Sequence, residues 1–256
     1  MKSITIYPGK DKYGNKENFD SLTFYRGYIY SIVGNTGSGK SRLIKDIEQF
    51  VNNDSLTSRK ILVNDLEVPI EKRNEYSTTL ISHLGQNMRF VLDSTVEEFL
   101  NLHKACKNNN TTSVEEILNV ANKITAEPIS LTQELTSLSG GQTRALMIAD
   151  IALISDNPII LIDEIENAGI NKNIALDILL KSDKLIFIVT HDPHTALMGE
   201  KRIIMDNGSI FKVIDTSEEE KGILTKLKNI YDFQIECQSK LRKGETLYEN
   251  CKIILE

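Results

Sequence analysis

A glycine-rich loop carries the clearest chemical pattern in the sequence. It reads Gly-Asn-Thr-Gly-Ser-Gly-Lys-Ser, from Gly34 to Ser41. Its three glycines let the backbone turn tightly and direct N–H groups at phosphate oxygens, and a following helix adds its positive N-terminal dipole. In such loops the lysine reaches the β and γ phosphates and the last hydroxyl coordinates Mg²⁺. We therefore predict a nucleotide site formed by Gly34, Asn35, Thr36, Gly37, Ser38, Gly39, catalytic Lys40 and the metal ligand Ser41.

Two adjacent carboxylates, Asp163 and Glu164, directly follow the apolar run Ile159–Ile162. This position is the C-terminal end of a buried strand, where open α/β sheets bind ligands. We expect Asp163 to hold Mg²⁺ and Glu164 to polarise the attacking water. A capping pair at a strand end is the alternative for these residues taken alone, and the glycine loop disfavours it.

Two further polar residues, Gln86 and His191, also follow strand-like runs. His191 is placed to hydrogen-bond a γ-phosphate and to report its loss. Gln86 offers a neutral amide near Mg²⁺ and the attacking water, so we predict it as a metal ligand and a catalytic residue. On position alone, a structural histidine is the more frequent explanation for His191, and a surface glutamine would look the same as Gln86.

The chain supplies the strands and helices that such a site needs. The apolar run Tyr28–Val33 ends at the glycine loop, and apolar residues then recur at helical spacing at Leu43, Ile44, Ile47, Phe50 and Val51. Four more strand-like runs alternate with helical patterns, at Ile61–Val63, Thr79–Ile81, Ile159–Ile162 and Leu185–Val189. The alternation predicts the α/β class, with a mostly parallel core sheet covered by helices.

The remaining patterns divide the chain into regions. The runs Ile203–Met205 and Ile210–Ile214 flank an Asn-Gly turn and predict a closing hairpin. Residues 87–140 are polar and helical, with helix periodicity at Val96–Lys104 and Val114–Ile124, which predicts a helical subdomain inserted in a nucleotide-binding domain of residues 1–216. Residues 217–256 are predicted as a helical C-terminal extension, whose apolar positions either contact a partner or pack back on the subunit.

Composition excludes several functional classes. The formal net charge of −6 gives no broad basic surface, so nucleic acid is not an expected partner. The three cysteines form no C-x-x-C pair and no signal peptide is evident, which predicts a reducing, cytoplasmic location. No run approaches the roughly 18 apolar residues that span a bilayer, so any membrane spans come from a partner.

A third motif, Leu-Ser-Gly-Gly-Gln at Leu138–Gln142, lies in the sequence between the glycine loop and the two carboxylates. The order and spacing of all these motifs resemble the nucleotide-binding subunit of an ATP-binding cassette (ABC) protein, from about Ser3 to Val213. The resemblance implies a P-loop NTPase fold of the ABC type, with a small antiparallel β subdomain beside the core sheet. It also implies ATP and Mg²⁺ as cofactors and an ATPase activity.

The same resemblance implies a head-to-tail dimer with ATP between two subunits. Ser139, Gly140, Gly141 and Gln142 then lie at the start of the helix Thr143–Ile154 and face the γ-phosphate held by the partner's loop. Tyr7 matches the place where the family stacks an aromatic ring on adenine, and Tyr13 is the rival residue.

Two segments depart from the family pattern. After Glu164 the family usually continues Pro-Thr-Ser-Ala-Leu-Asp, whereas this chain continues Ile-Glu-Asn-Ala-Gly-Ile, so the aspartate that ties the two active sites together is replaced by Ile170. Asn171 is a candidate substitute through its amide. The segment Asn87–Phe90 also differs from the sequence that is usual in the family. In transporters of the family this region faces the membrane partner.

We expect a second ABC subunit, in a homodimer, as one partner and a separate membrane-spanning protein as another. The chain would then energise a transporter from the cytoplasmic face of the membrane. A soluble ABC ATPase that powers a cytoplasmic assembly, such as metallocofactor or enzyme-activation machinery, is one alternative. An ATP-dependent binding switch with low turnover is the other.

Overall fold

Two β-sheets form the framework of the chain. The computed structural model describes residues 1–165 and 169–247, and in them one sheet has six strands and the other has four. The larger sheet has the order β10-β9-β3-β8-β7-β6 and is built from β3 (Ile29–Val33), β6 (Ile81–Leu84), β7 (Ile159–Asp163), β8 (Leu185–Val189), β9 (Lys201–Asp206) and β10 (Ser209–Asp215). All neighbours in it are parallel except β9 and β10, which form the predicted hairpin.

The smaller sheet is antiparallel and has the order β2-β1-β4-β5. Its strands are β1 (Ser3–Tyr7), β2 (Leu22–Tyr25), β4 (Lys60–Val63) and β5 (Leu66–Glu67). The run Ile61–Val63, which we expected in the parallel sheet, therefore belongs to this one. An apolar run does not by itself distinguish parallel from antiparallel pairing. Here Asn64 and Asp65 adopt positive φ (50° and 63°) and turn the chain from β4 into β5.

Eight α-helices lie in the described residues: α1 (Lys40–Glu48), α2 (Arg73–Leu80), α3 (Val96–Cys106), α4 (Val114–Ile124), α5 (Gly140–Leu153), α6 (Lys172–Leu180), α7 (Pro193–Leu197) and α8 (Glu218–Arg242). The strand expected at Thr79–Ile81 is wrong in its first two residues, because α2 continues to Leu80. The Thr79 hydroxyl donates to the Glu75 carbonyl, a helical side-chain contact. The strand β6 begins only at Ile81.

Alternating strand residues supply the two faces of the core sheet. In β7, Ile159 and Leu161 pack toward α1 and the antiparallel sheet, whereas Ile160 and Ile162 pack toward α5 and α6. Both faces are therefore buried, as a parallel sheet requires. The Asp163 side chain comes directly after these strand residues, at the end of β7.

A separate apolar cluster joins α3 and α4 to α5. Side-chain hydroxyls cap both helices, from Thr95 on α3 and Ser113 on α4, and the apolar face of α4 packs on α5. The helices α3 and α4 lie within residues 87–140, where we predicted a helical insertion. The boundaries at 87, 140 and 216 remain predictions.

The helix α8 has no buried residue and contacts the rest of the chain through side chains. Tyr231 stacks on His194 with ring centroids 6.3 Å apart, and its hydroxyl accepts a hydrogen bond from the Lys172 N–H (3.2 Å). The tail thus packs back on its own subunit at Tyr231, while Ile223 stays half exposed. Residues 248–256 of the predicted extension lie outside the described residues. No helix in residues 1–165 and 169–247 is long and apolar enough to cross a membrane.

Candidate active site

The glycine loop connects β3 to α1 and lies against the turn between β9 and β10. Gly34, Gly37 and Gly39 all have positive φ (150°, 78° and 103°), a backbone region that other residues rarely adopt. A Cβ at Gly34 would lie 2.4 Å from the carbonyl oxygen of Met205, and one at Gly39 would lie 2.8 Å from the Gly208 Cα. Glycine is therefore required both by the turn and by the close approach of the hairpin.

The side chains of Lys40 and Ser41 lie in different surroundings at the end of the loop. The Lys40 ammonium donates to the carbonyls of Gly34 (2.8 Å) and Asn35 (3.0 Å), which closes the loop. Burial lowers the pKa of Lys40, and the nearby carboxylates of Glu164 and Asp163 partly oppose this shift. An anionic ligand beside Lys40 would stabilise its charged form. The Ser41 hydroxyl is exposed on the first turn of α1.

The Ser38 hydroxyl is a further feature of the loop. It is buried, and it has no hydrogen-bond partner among the described residues. A buried hydroxyl that makes no hydrogen bond costs free energy. A nucleotide phosphate in the loop would supply an acceptor for Ser38.

The two carboxylates lie at the end of β7, as predicted. Glu164 has a positive φ of 52°, and its N–H donates to the Val189 carbonyl (3.0 Å), which fixes the turn where the chain leaves the sheet. Burial raises the pKa of Asp163, and the adjacent charge of Glu164 raises it further. A cation near the pair would lower the pKa of Asp163 again by favouring its charged form.

Three neighbouring strand ends converge on the Glu164 carboxylate. The Gln86 amide, after β6, donates to Glu164 Oε2 (2.5 Å), and His191 Nε2, after β8, lies 3.9 Å from Glu164 Oε1. The order β8-β7-β6 places these three residues side by side. The structure thus brings together the residues that sequence position alone did not distinguish from structural ones.

Sequence reasoning missed Arg144, which organises the same region. Its guanidinium donates to the carbonyls of Gly85 (2.6 Å), Asp163 (3.1 Å) and Glu164 (3.0 Å). Only 6 % of Arg144 is exposed. The sequence signal that could have indicated it is a single arginine in the mostly apolar sequence of α5, two residues after Gln142. Arg144 ties the backbone on both sides of the Glu164–Gln86 contact to the helix that begins at the Leu-Ser-Gly-Gly-Gln motif.

That motif forms the N-terminus of α5. Ser139 is the N-cap residue, and it exchanges hydrogen bonds with Gln142 in a capping box. Gly140 is exposed and Gly141 is half buried, so the first turn is open to an incoming group. The helix begins at Gly140, three residues before the predicted Thr143. The Ser139 hydroxyl donates to the carboxylate of Glu127 (2.8 Å), another residue that sequence reasoning missed.

The two tyrosines considered for adenine both remain accessible. Tyr7 ends β1 and is 39 % exposed, whereas Tyr13 is 71 % exposed and has the Lys12 ammonium 5.0 Å from its ring centroid. The adenine contact of Tyr7 stays a prediction.

The segment after Glu164 is only partly described. Residues 166–168 lie outside the described residues. Ile170 is buried and packs with α5 and α6, which suits its apolar side chain in place of the family aspartate. The amide oxygen of Asn171 accepts from the Ile174 N–H (3.2 Å) and caps α6. Asn171 therefore uses this oxygen for helix capping rather than for a contact between active sites.

Comparison with known proteins identifies relatives along nearly the whole chain. The family model described as ABC transporter matches residues 18–167. An uncharacterised ABC transporter ATP-binding protein of Methanocaldococcus jannaschii is 48 % identical over 248 residues, which cover 96 % of this chain and 95 % of the relative. The energy-coupling factor transporter ATP-binding protein EcfA2 of Staphylococcus aureus is 27 % identical, covering 86 % of this chain and 83 % of the relative.

Solved structures share the fold. The cbiO1 protein of Clostridium perfringens, described as part of an ABC transporter complex, aligns with a TM-score of 0.62 and 18 % identity over 88 % of this chain and 93 % of its own. A dimeric ATP-binding cassette bound to ADP and Pi aligns with a TM-score of 0.60 and 23 % identity over 84 % and 99 %. The chain therefore belongs to the ABC transporter family, as a subunit that binds and hydrolyses ATP to energise transport.

Proposed function

We propose that the chain hydrolyses ATP in a head-to-tail homodimer, with the glycine loop and Glu164 of one subunit facing Ser139 of the other. The observation that carries the proposal is the convergence of Gln86 and His191 on Glu164, at the strand ends. This convergence supports a role for Glu164 as the carboxylate that polarises a water attacking the γ-phosphate.

The proposed roles follow from these contacts. The loop N–H groups and Lys40 bind the phosphates, and Lys40 exchanges its loop carbonyls for phosphate oxygens. Glu164 accepts the proton of the attacking water, and Gln86 and His191 orient the Glu164 carboxylate. Arg144 fixes the backbone from which Glu164 projects.

The residues at the strand ends also fit Mg²⁺. Ser41, Asp163 and Gln86 offer hydroxyl, carboxylate and amide oxygens, the donors that this hard cation prefers. The raised pKa of Asp163 is consistent with a carboxylate that a cation would restore to the charged form. A Mg²⁺ ion held there would neutralise charge on the β and γ phosphates.

The first turn of α5 completes the site in the proposed dimer. Gly140 is exposed there, and the backbone N–H groups of the helix N-terminus are suited to bind an anion. Ser139, Gly140, Gly141 and Gln142 of one subunit would then meet the γ-phosphate held by the other. One chain would thus form half of each active site.

The proposed membrane partner docks near Gln86. The segment after it exposes apolar side chains, with Val91 95 % and Leu92 44 % exposed. The relatives EcfA2 and cbiO1 are named as parts of transporters. We place this chain likewise at the cytoplasmic face of a membrane, bound to a separate membrane-spanning protein. No observation favours a soluble assembly or a low-turnover switch.

The test is Glu164→Gln, compared with Glu134→Gln as a matched control that removes an exposed carboxylate elsewhere. Loss of the general base lowers the rate of ATP hydrolysis by about 10² to 10⁴. We expect Glu164→Gln to bind ATP and to accumulate as a dimer in sedimentation velocity with Mg²⁺-ATP. The control keeps its activity. Hydrolysis by Glu164→Gln at the unaltered rate excludes Glu164 as the base.

A further inference from the structure

The Ser139 hydroxyl both donates and accepts a hydrogen bond within its own subunit. It accepts a hydrogen bond from the Gln142 N–H (3.3 Å) and donates its single proton to Glu127 Oε2 (2.8 Å). A carboxylate is favoured at this position, because the N-terminus of α5 carries a partial positive charge. Glu127 therefore occupies the place that suits an incoming anion.

The loop that carries Glu127 is fixed on both sides. The Gln142 amide donates to the Pro128 carbonyl (3.0 Å), and Asn122 exchanges two hydrogen bonds with the backbone of Ile129 (2.7 and 3.0 Å). On the other side, the Asn171 N–H donates to the Ile124 carbonyl (2.8 Å). Although the Glu127 side chain is exposed, its backbone is thus held beside Ser139.

One proton cannot serve two acceptors. In the head-to-tail dimer the Ser139 hydroxyl must donate to the partner's γ-phosphate, so the bond to Glu127 has to break first. The freed carboxylate then lies close to a phosphate of the same charge, and the two repel. Both effects act against the ATP-bound dimer and leave the free subunit unaffected.

We propose that Glu127 is a positioning residue that acts through Ser139 and weakens the ATP-bound dimer by competing with the γ-phosphate. This inference rests on the proposed head-to-tail dimer. It makes Glu127 a control on how readily two subunits close on ATP. The chemistry at Glu164 does not involve Glu127, so the KM for ATP changes while kcat does not.

The experiment compares Glu127→Gln and Glu127→Ala, each in the Glu164→Gln background, with Glu134→Gln in the same background as the control. Glu134 is also exposed in the connection between α4 and α5, and its substitution removes the same charge. The dimer Kd is measured by sedimentation with Mg²⁺-ATP at low and high salt. We expect both Glu127 variants to lower this Kd about tenfold or more, the effect of one hydrogen bond to a charged group. Salt reduces the charge-dependent part of the difference.

A second readout separates positioning from a structural role. With Glu164 intact, the Glu127 variants should lower the KM for ATP with unchanged kcat. A lower melting temperature with an unchanged dimer Kd means that Glu127 only stabilises the loop, and it overturns the inference. A weaker dimer overturns it too, because Glu127 then supports Ser139. If the Glu164→Gln parent stays monomeric with ATP, the proposed dimer itself fails, and the role of Glu127 fails with it.

Discussion

A buried ion cluster behind the glycine loop gives a quantitative prediction. The Arg59 guanidinium is fully buried and donates to Glu17 (2.6 and 3.0 Å), to Asp46 (3.0 Å) and to the Gly208 carbonyl (2.7 Å). Glu17 also accepts the N–H of Ile210 (2.5 Å). The cluster thus joins the N-terminal loop, α1 and the β9–β10 turn, which in turn contacts the glycine loop.

Substitution of Arg59 by methionine leaves Glu17 buried without this counter-charge, while Asp46 keeps its ion pair with Arg42 (3.1 Å). Removal of one partner from a buried ion cluster costs about 3–5 kcal/mol, because the remaining charge is uncompensated. For a chain of this size, each kcal/mol lowers the melting temperature by about 2–4 °C, so we expect a decrease of about 6–20 °C. The exposed pair Arg26–Asp183, with side chains 41 % and 72 % exposed, supplies the control, and Arg26→Met should cost less than about 1 kcal/mol.

Urea unfolding of both variants gives the two free energies of unfolding, and a third variant tests the cause. Arg59→Met combined with Glu17→Gln and Asp46→Asn removes the three fully buried charges and leaves only the partly exposed Arg42 of the ion pairs around Asp46, so it should recover at least half of the lost free energy. The electrostatic reasoning is refuted if Arg59→Met costs less than about 1 kcal/mol, or if the triple variant is no more stable than Arg59→Met.

Two other side chains yield predictions. Arg144→Met should lower kcat about tenfold or more with little change in the ATP Kd, and Arg144→Lys should not rescue it, because a lysine cannot reach three carbonyls at once. Burial lowers the pKa of Lys184 to about 8, from 10.5 in the unfolded chain. The unfolded chain then binds more protons between these values, so stability rises with pH there. Relative to Lys184→Met, the free energy of unfolding should increase by about 2 kcal/mol from about pH 7.5 to about pH 9.5, and a flat difference contradicts this.

The parts of the site that were predictable share one property. The glycine loop, Asp163 and Glu164 are positioned by residues adjacent in sequence, so a strand followed by a loop is enough to locate them. Gln86 and His191 required the strand order, because only β8-β7-β6 pairing brings their side chains to Glu164. Local pattern indicates that a residue ends a strand, and it does not indicate which strand lies beside it.

The residues that were missed act over long separations. Arg59 precedes β4 and lies between a serine and a lysine, a local sequence typical of a polar surface turn. Its hydrogen-bond partners Glu17 and Asp46 are 42 and 13 residues away along the chain. Arg144 and Glu127 likewise act on groups brought near by the packing of α5. The β4 error has the same origin, since pairing with β1 depends on the register between distant segments.

The position of Arg144 suggests how the two active sites could be linked without the family aspartate, which is replaced by Ile170 in this chain. Ser139 caps α5 and Arg144 lies five residues further along, so about 7.5 Å of helix separates the group that we propose faces the partner's nucleotide from the arginine that binds the Glu164 carbonyl of this subunit. We expect a helix of 14 residues packed in two apolar clusters to move as a rigid body. A shift of Ser139 toward the partner's γ-phosphate would then displace the carbonyls of Asp163 and Glu164, to which Arg144 donates. In this chain α5 itself offers a route between the two active sites that does not use an aspartate at position 170.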